Sequence, residues 1–252
     1  MATIASQPQS IQPLHDAWGF IDRVYCISLD HRLDRQQQAK DQFLRVGLGD
    51  RVEFLLSKKH PTNAELGNFN AQMNALRTGI AAGAKHILVF EDDIEFDRFS
   101  PEQLNRAISF MKSDAGWHMF FLGCFVKSSR RTKYPSVLNV KFRSTTHAYV
   151  VTREFAQKLV ETPWPGRCLD DLICSLNDDR MYAIYPAFAF QSNSPTDNDK
   201  QIGIDRFRRA LGGIRRLQKW NEFASLHFVT LIVVHATIVL LGLMIAGHFL
   251  FR

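Results

Sequence analysis

A chain of 252 residues with 46% apolar side chains is long enough for one sizeable α/β domain plus an appendage. The net charge of +6 would suit a nucleic-acid groove only if it were spread along one. Residues 200–220 alone hold seven of the 31 basic side chains and one of the 25 acidic ones, so the rest is neutral with 24 of each, and no nucleic-acid partner is expected.

The four cysteines, Cys26, Cys124, Cys168 and Cys174, show neither a CxxC pair nor a dense framework, which reads as reduced thiols in a cytosolic setting. Met1 to Pro13 is polar and rich in Gln, Ser and Pro, without the basic start and apolar core of a signal peptide. No Asn-x-Ser/Thr acceptor with an allowed middle residue stands out. Nothing here argues for passage through a secretory lumen.

Taken along the chain, residues 22–29 form a β-type run, followed by a helical pattern from Arg32 to Val46 closed by Gly47 and Gly49. A short run, Val52–Leu56, precedes a long helix over Asn63–Ala82 with Gly83 at its end. Ile87–Phe90 is too short for a helix and sits between Gly83 and acids, so it reads as a buried parallel strand opening into a loop. A helix over Pro101–Lys112 is capped by Ser100, and a strand spans Trp117–Leu122. Val126–Tyr134 is polar and basic and reads as a mobile loop before strands at Val137–Phe142 and Ala148–Val151. Helices over Arg153–Glu161 and Asp170–Leu176 and a final strand over Tyr182–Phe190 complete an α/β sandwich around a mainly parallel sheet.

Between 204 and 220, Ile204, Phe207, Leu211, Ile214, Leu217 and Trp220 recur at three- and four-residue steps with arginines on the other faces. This predicts an amphipathic helix lying on anionic lipid; the alternative is one packed on the domain. Phe228 to Leu250 then runs 23 residues without a formal charge, about 34 Å as a helix and enough to cross a bilayer. The alternative, a buried core helix, would need protein on every side. Basic residues precede the span and only Arg252 follows it, so the positive-inside bias puts the large domain in the cytoplasm of a single-pass protein. The expected organisation is a polar segment over 1–20, a catalytic domain over 21–200, a basic juxtamembrane helix over 201–226 and a transmembrane helix over 227–251.

Glu91-Asp92-Asp93 follows the Ile87–Phe90 strand, and in open α/β sheets ligands gather beyond the carboxyl ends of the strands. Hard divalent cations take one or two carboxylates together with phosphate oxygens and water, so this turn could hold Mn2+ or Mg2+ against a diphosphate. Acidic runs are also common as solvated surface, and Glu95 and Asp97 continue this one.

Four segments in constant order, VYCISLDHRLDR, LGNFNAQMNALRTGIAAGAKHILVFEDDIEF, WHMFFLG and THAYVVTREFAQKLVE, resemble glycosyltransferase family 25, the lipopolysaccharide and collagen galactosyltransferase type. The resemblance spans Arg23 to Asp197. It implies a GT-A-like α/β/α sandwich that binds a nucleotide sugar, here with a C-terminal transmembrane helix added. It also implies transfer of a hexose, galactose or glucose, from a UDP-sugar donor to a glycan or glycolipid acceptor, with inversion, at a cell inner membrane entered by residues 228–250. Ser28, Leu29 and Arg35 match the start of the nucleotide site, with Arg32 a basic neighbour. Asp92 and Asp93 match the last two acids of the family's metal motif, which implies Asp93, with Glu91, as metal ligand and Asp92 as a sugar or ribose contact. Thr146 and His147 match the acceptor side, although a histidine at a strand start could equally be structural. Asp170 and Asp171 match a carboxylate facing the acceptor hydroxyl, Asp171 being slightly preferred as base; they could equally cap a helix. Where relatives carry a histidine in the long helix, Gln72 stands here and could still hydrogen-bond the donor but take no proton. Two rivals remain: a catalytically silent membrane-tethered relative that binds glycan or protein, and a nucleotidyltransferase on a similar sheet.

Overall fold

The computed structural model describes residues 17–113, 116–192, 194 and 212–250. Strand β1 (Arg23–Leu29) lies between β2 (Val52–Ser57) and β3 (His86–Glu91), parallel to both, with Cys26 opposite Phe54 on one side and Phe90 on the other. Apolar side chains on both faces of β1 and β3 dictate a strand covered twice. Val24, Cys26, Leu88 and Phe90 face one core with Ala39 and Phe43 of helix α1 (Leu33–Arg45) and Leu104 and Ala107 of α3 (Pro101–Ser113). The alternate residues Tyr25, Ile27, Ile87 and Val89 face a second core with Phe69, Met73 and Leu76 of α2 (Ala64–Ala81), Phe155 and Leu159 of α4 (Arg153–Glu161) and Leu172 and Ile173 of α5 (Leu169–Leu176). Period two in the strands thus produces the three-layer α/β/α sandwich that was expected.

The predicted starts and stops have visible causes. The Asn63 side chain accepts from the Leu66 amide at 3.1 Å and opens α2, and Gly83 closes it with φ +78, a region glycine enters without steric cost. Ser100 Oγ accepts from the Gln103 amide at 3.3 Å at the head of α3.

Beyond β3 the architecture departs from a mainly parallel sheet. The order is β2-β1-β3-β8-β5-β9-β7-β6, where β5 is Met119–Phe121, β6 Phe125–Arg131, β7 Val137–Ser144, β8 Ala148–Thr152 and β9 Met181–Ile184. Strand β8 is antiparallel to β3 and β5, and β7 to β9 and β6, so the sheet is mixed. The segment expected as a loop over Val126–Tyr134 is largely β6, an edge strand whose register slips between Phe125 and Ser128. Its charges, Lys127, Arg130 and Arg131, are side chains such an edge tolerates. The expected strand over Tyr182–Phe190 is two strands separated by the cis Tyr185–Pro186 bond: β9, and β10 (Ala189–Gln191), which pairs with β4 (Ile94–Phe96) in a separate two-stranded ribbon. Three-residue strands such as β4 carry too short a pattern to be read.

At the amino-terminal side, Trp18 is fully buried, stacks 6.0 Å from Phe99 and donates its indole N–H to the Val46 carbonyl at 2.8 Å. Residues 17–20 therefore belong to the body rather than to a polar segment ending at 20; residues 1–16 lie outside the described residues.

The amphipathic stretch from 204 is described only from 212 onward, and helix α6 (Ile214–Leu226) packs on the body. Gln218 is buried and donates to the Ala189 carbonyl at 3.0 Å; the Asn221 side chain accepts from the Val126 amide at 2.8 Å and donates to the Val126 carbonyl at 3.0 Å. Arg215 pairs with Glu95, Lys219 with Asp97, and Arg98 with Glu222. Arg215 and Lys219 thus pair with Glu95 and Asp97 of the acidic turn rather than with lipid, whereas Arg216 is exposed and Arg206, Arg208 and Arg209 lie outside the described residues. Helix α7 (Phe228–Leu250) follows, and over Phe228–Ala246 it is long and apolar enough to cross a membrane, with none of that stretch buried.

Candidate active site

A cavity of about 300 Å³ opens beyond the carboxyl ends of β1, β2 and β3. Parallel strands joined by helices bring strand ends and helix starts to one edge, and three groups meet there. Ser28, at the end of β1, donates its hydroxyl to Asp92 Oδ2 at 2.6 Å, and Arg35, in the first turn of α1, donates to Asp92 Oδ1 at 3.3 Å. Ser28 and Asp92 are buried, and all three line the cavity with Leu29, whose carbonyl accepts from Gln36 Nε2 at 2.9 Å and so fixes the β1–α1 turn.

Glu91 ends β3 inside a ring of amides. Its Oε1 accepts from Asn68 Nδ2 and Gln72 Nε2, each at 3.1 Å, and its Oε2 from Gln191 Nε2 at 3.2 Å. Tyr149 donates to Gln72 Oε1 at 2.9 Å, which turns the Gln72 amide N–H toward Glu91 and the Thr146 carbonyl. Gln72 is fully buried and lies behind the cavity wall, so it holds Glu91 rather than touching a donor as expected. Both Glu91 oxygens are already engaged by amides, which leaves Asp93 the better placed of the two expected metal ligands. Asp93 Oδ1 is buried in the cavity wall without a hydrogen-bond partner among the described residues.

The carboxylates crowd one another. Burial, then the charges of Asp93 and Asp170, push Glu91 up to about 8. Burial pushes Asp93 up to about 6, against the lowering effect of Arg35. An orphaned oxygen among buried acids fits a cation that supplies the missing charge. Among the described residues no three Asp, Glu, His or Cys side chains enclose an ion by themselves, so an ion at Asp93 would take further oxygens from a bound phosphate.

The opposite wall is built by the β7–β8 turn and the start of α5. Thr145 is held at φ +73, and the Asp170 carboxylate accepts from the amides of Thr145 and Thr146 at 2.7 and 2.9 Å and from the Thr146 hydroxyl at 2.7 Å. Burial raises the Asp170 pKa despite these donors. Asp171, the slightly preferred base, is exposed, accepts from Cys168 Sγ at 3.3 Å and does not line the cavity. Successive residues at a helix start diverge by about 100°, so only Asp170 turns inward. Neither caps α5, whose N-cap is Cys168. His147, expected on the acceptor side, is fully buried away from the cavity, and burial holds its pKa down to about 4, so the imidazole is neutral.

The remaining wall comes from residues that sequence reasoning did not single out. Lys58, Lys59 and His60 follow β2, Asn68 lies on α2, Gln191 ends β10 and Ile214 begins α6. His60 Nδ1 accepts from the Asn63 amide at 3.0 Å and the Thr62 amide at 3.4 Å, so the ring proton sits on Nε2. Gly67 makes room for it: a Cβ there would come 3.0 Å from His60 Cβ. The one available signal was position, since the residues after β2 emerge at the same sheet edge as those after β1 and β3.

No protein-family model matches this chain, and no curated protein matches it. Among solved structures it is similar to A197 from STIV, with a TM-score of 0.43 and 13% identity over 67% of this chain and 85% of that one. It is also similar to a mannose-1-phosphate geranyltransferase from Thermus thermophilus, at 0.38 and 9% over 66% and 74%. A third is a glycosyltransferase involved in the glycosylation of the major capsid of PBCV-1, at 0.34 and 12% over 65% and 94%. Likenesses this slight leave the site to be argued from its own residues.

Proposed function

We propose that this chain is a family 25-like glycosyltransferase that moves a hexose, galactose or glucose, from a UDP-sugar to a hydroxyl of a glycan or glycolipid at the cytoplasmic face of a membrane, using Mn2+ or Mg2+. The observation that carries the reading is the cavity itself, with an orphaned Asp93 oxygen on one wall and Asp170 on the other. The ordered resemblance from Arg23 to Asp197 supports the same assignment, and the uncharged Phe228–Leu250 helix supports the membrane setting.

In this reading Ser28 and Arg35 orient Asp92 toward the sugar or ribose hydroxyls, while Asp93 would hold the cation beside the donor diphosphate. When bound, the cation supplies positive charge that stabilises the departing nucleoside diphosphate. The acceptor oxygen attacks the anomeric carbon as the bond to the β-phosphate oxygen breaks, with inversion, and the acceptor proton passes to Asp170 Oδ2. That oxygen receives one amide donor, from Thr145, and retains a lone pair for the proton. Burial of Asp170 raises its basicity in the needed direction. Gln72, standing where relatives carry a histidine, serves the Glu91 amide ring, so its presence does not remove a group from the cavity.

The test is calorimetry and turnover of the full chain with uridine, guanosine, cytidine and adenosine diphosphate sugars, with manganese and with chelator. Metal-enhanced binding and hydrolysis of the uridine class is expected; preference for another class would overturn the UDP-sugar donor, and binding of none of them the whole reading.

A further inference from the structure

Helix α6 has two unlike faces. Ile214, Gln218, Asn221, Glu222 and Ser225 turn to the body, the last through a 2.8 Å contact with Ser129. Arg216, Trp220, Phe223 and His227 follow one another at steps of four, three and four, a single stripe on the opposite side. Trp220 is 62% exposed and Phe223 45%, and their rings stack at 5.6 Å, while Phe223 and His227 approach to 4.7 Å. An exposed aromatic ladder of this kind has no use in water, and it runs directly into the exposed apolar face of α7. Between the two helices His227 has φ −112 and ψ 20, a local irregularity at the junction, while its N–H still bonds the Phe223 carbonyl at 3.1 Å and its carbonyl accepts from the Leu231 amide at 2.8 Å.

We infer that the Trp220–Phe223 stripe of α6 is a bilayer-contact face, lying at headgroup level with the body seated on its back. Trp and Phe are the side chains that settle at this depth, and Arg216 at the outer end of the stripe reaches lipid phosphate. The consequence concerns the site. Ile214 lines the cavity and Leu226 adjoins the membrane helix, so one helix of 13 residues, about 20 Å long, joins the two. Laid flat on the leaflet, α6 brings the cavity mouth down to the headgroups, where the hydroxyl of a lipid-linked acceptor is presented.

The inference rests on the proposed membrane anchor, and the experiment separates the two. The full chain is reconstituted in vesicles of phosphatidylcholine and phosphatidylglycerol, washed with alkaline carbonate, and its tryptophan fluorescence is read against aqueous iodide and against lipid brominated near the headgroup. Retention after the wash, iodide quenching several-fold weaker than that of free N-acetyltryptophanamide, and bromolipid quenching that disappears in Trp220→Phe are expected. Trp18 and Trp117 are buried, so Trp220 dominates the accessible signal, and Trp164→Phe removes the other contribution. Retention with iodide quenching of Trp220 and no bromolipid quenching overturns the contact face while leaving the anchor. Release by the wash overturns the anchor and the contact face together.

Discussion

The half of the sheet made of β2, β1 and β3 and the half from β8 to β6 contribute to the cavity in different ways. In the first, all three strands are parallel, and the site residues are close neighbours in the chain: Ser28 with Arg35, and Glu91 through Asp93. They are locked to one another before any ligand arrives, Asp92 by Ser28 and Arg35 and Glu91 by three amides. In the second half the strands are mostly antiparallel, and its residues Thr146 and Asp170 come from separate elements, the β7–β8 turn and the start of α5. The acids and Arg35 of the first side suit the charged donor, and Asp170 on the second, itself fixed by the Thr145 and Thr146 amides, suits the acceptor hydroxyl. The two halves should therefore fail differently when mutated.

The largest effect is expected at Asp93. Asp93→Asn keeps size and removes the charge, so the variant should fold normally, lose the metal enhancement of UDP-sugar binding and lose nearly all transfer. Calorimetry with and without manganese decides it; equal enhancement in variant and wild type removes Asp93 from the metal site.

Next comes the acceptor side, where Asp170→Asn should cut turnover by roughly 10²–10⁴-fold and leave donor affinity nearly unchanged, whereas Asp171→Asn should cost less than about tenfold. If Asp170→Asn weakened donor binding as much as Asp93→Asn, the division between the two halves would collapse. A larger loss at Asp171 than at Asp170 would return the base to the exposed residue.

Stability should divide along pH. His147 has a folded pKa of about 4 against 6.5 when unfolded, so as pH falls below 6.5 the unfolded chain takes up a proton that the native chain refuses. Its contribution is complete above pH 6.5 and is lost as pH falls toward 4, by about 3 kcal/mol. Glu91, near 8, and Asp93, near 6, act in the opposite sense: the native state holds their protons longer, so stability declines as pH rises above 4.5 and 3.8, and the loss is complete above about 8 and 6. Between pH 4 and 6.5 the two effects oppose, so His147→Leu should make melting temperature fall more steeply with rising pH across that window, and manganese should offset the fall above about pH 6. An unchanged profile between pH 4 and 6.5 in His147→Leu would show that another group titrates there.

The same contrast explains what the chain's pattern disclosed. The β1–α1, β2–α2 and β3 units were legible because each carries its own period and its own punctuation, such as Asn63 and Gly83 around α2. The acidic turn was legible because it follows a buried strand. Strands β6, β4 and β10 were not, since a basic edge strand and three-residue pairings are stabilised by partners distant in the chain. The inward choice of Asp170 over Asp171 depends on the Thr145 and Thr146 amides, 25 and 24 residues away, and no local pattern contains it. Gln72 and His147 matched positions of the resemblance, yet their surroundings turned both into the wall behind the cavity.

The smallest and most discriminating effect is expected at His60, on the donor side. Its Nδ1 is committed to the Thr62 and Asn63 amides at the head of α2, which leaves Nε2–H as the ring group available to a ligand in the cavity it lines. Structure and binding therefore reside on opposite atoms of one ring. Asparagine places an acceptor oxygen near the Nδ1 position and lacks the far nitrogen; glutamine reaches the Nε2 position with a donor and lacks the near acceptor. His60→Asn should melt like wild type and bind the UDP-sugar about tenfold more weakly, the worth of one hydrogen bond. His60→Gln should lose stability at the α2 head and largely retain affinity. If the two variants changed stability and affinity in parallel, His60 would be a helix cap alone, and the donor side would end at Ser28 and Arg35.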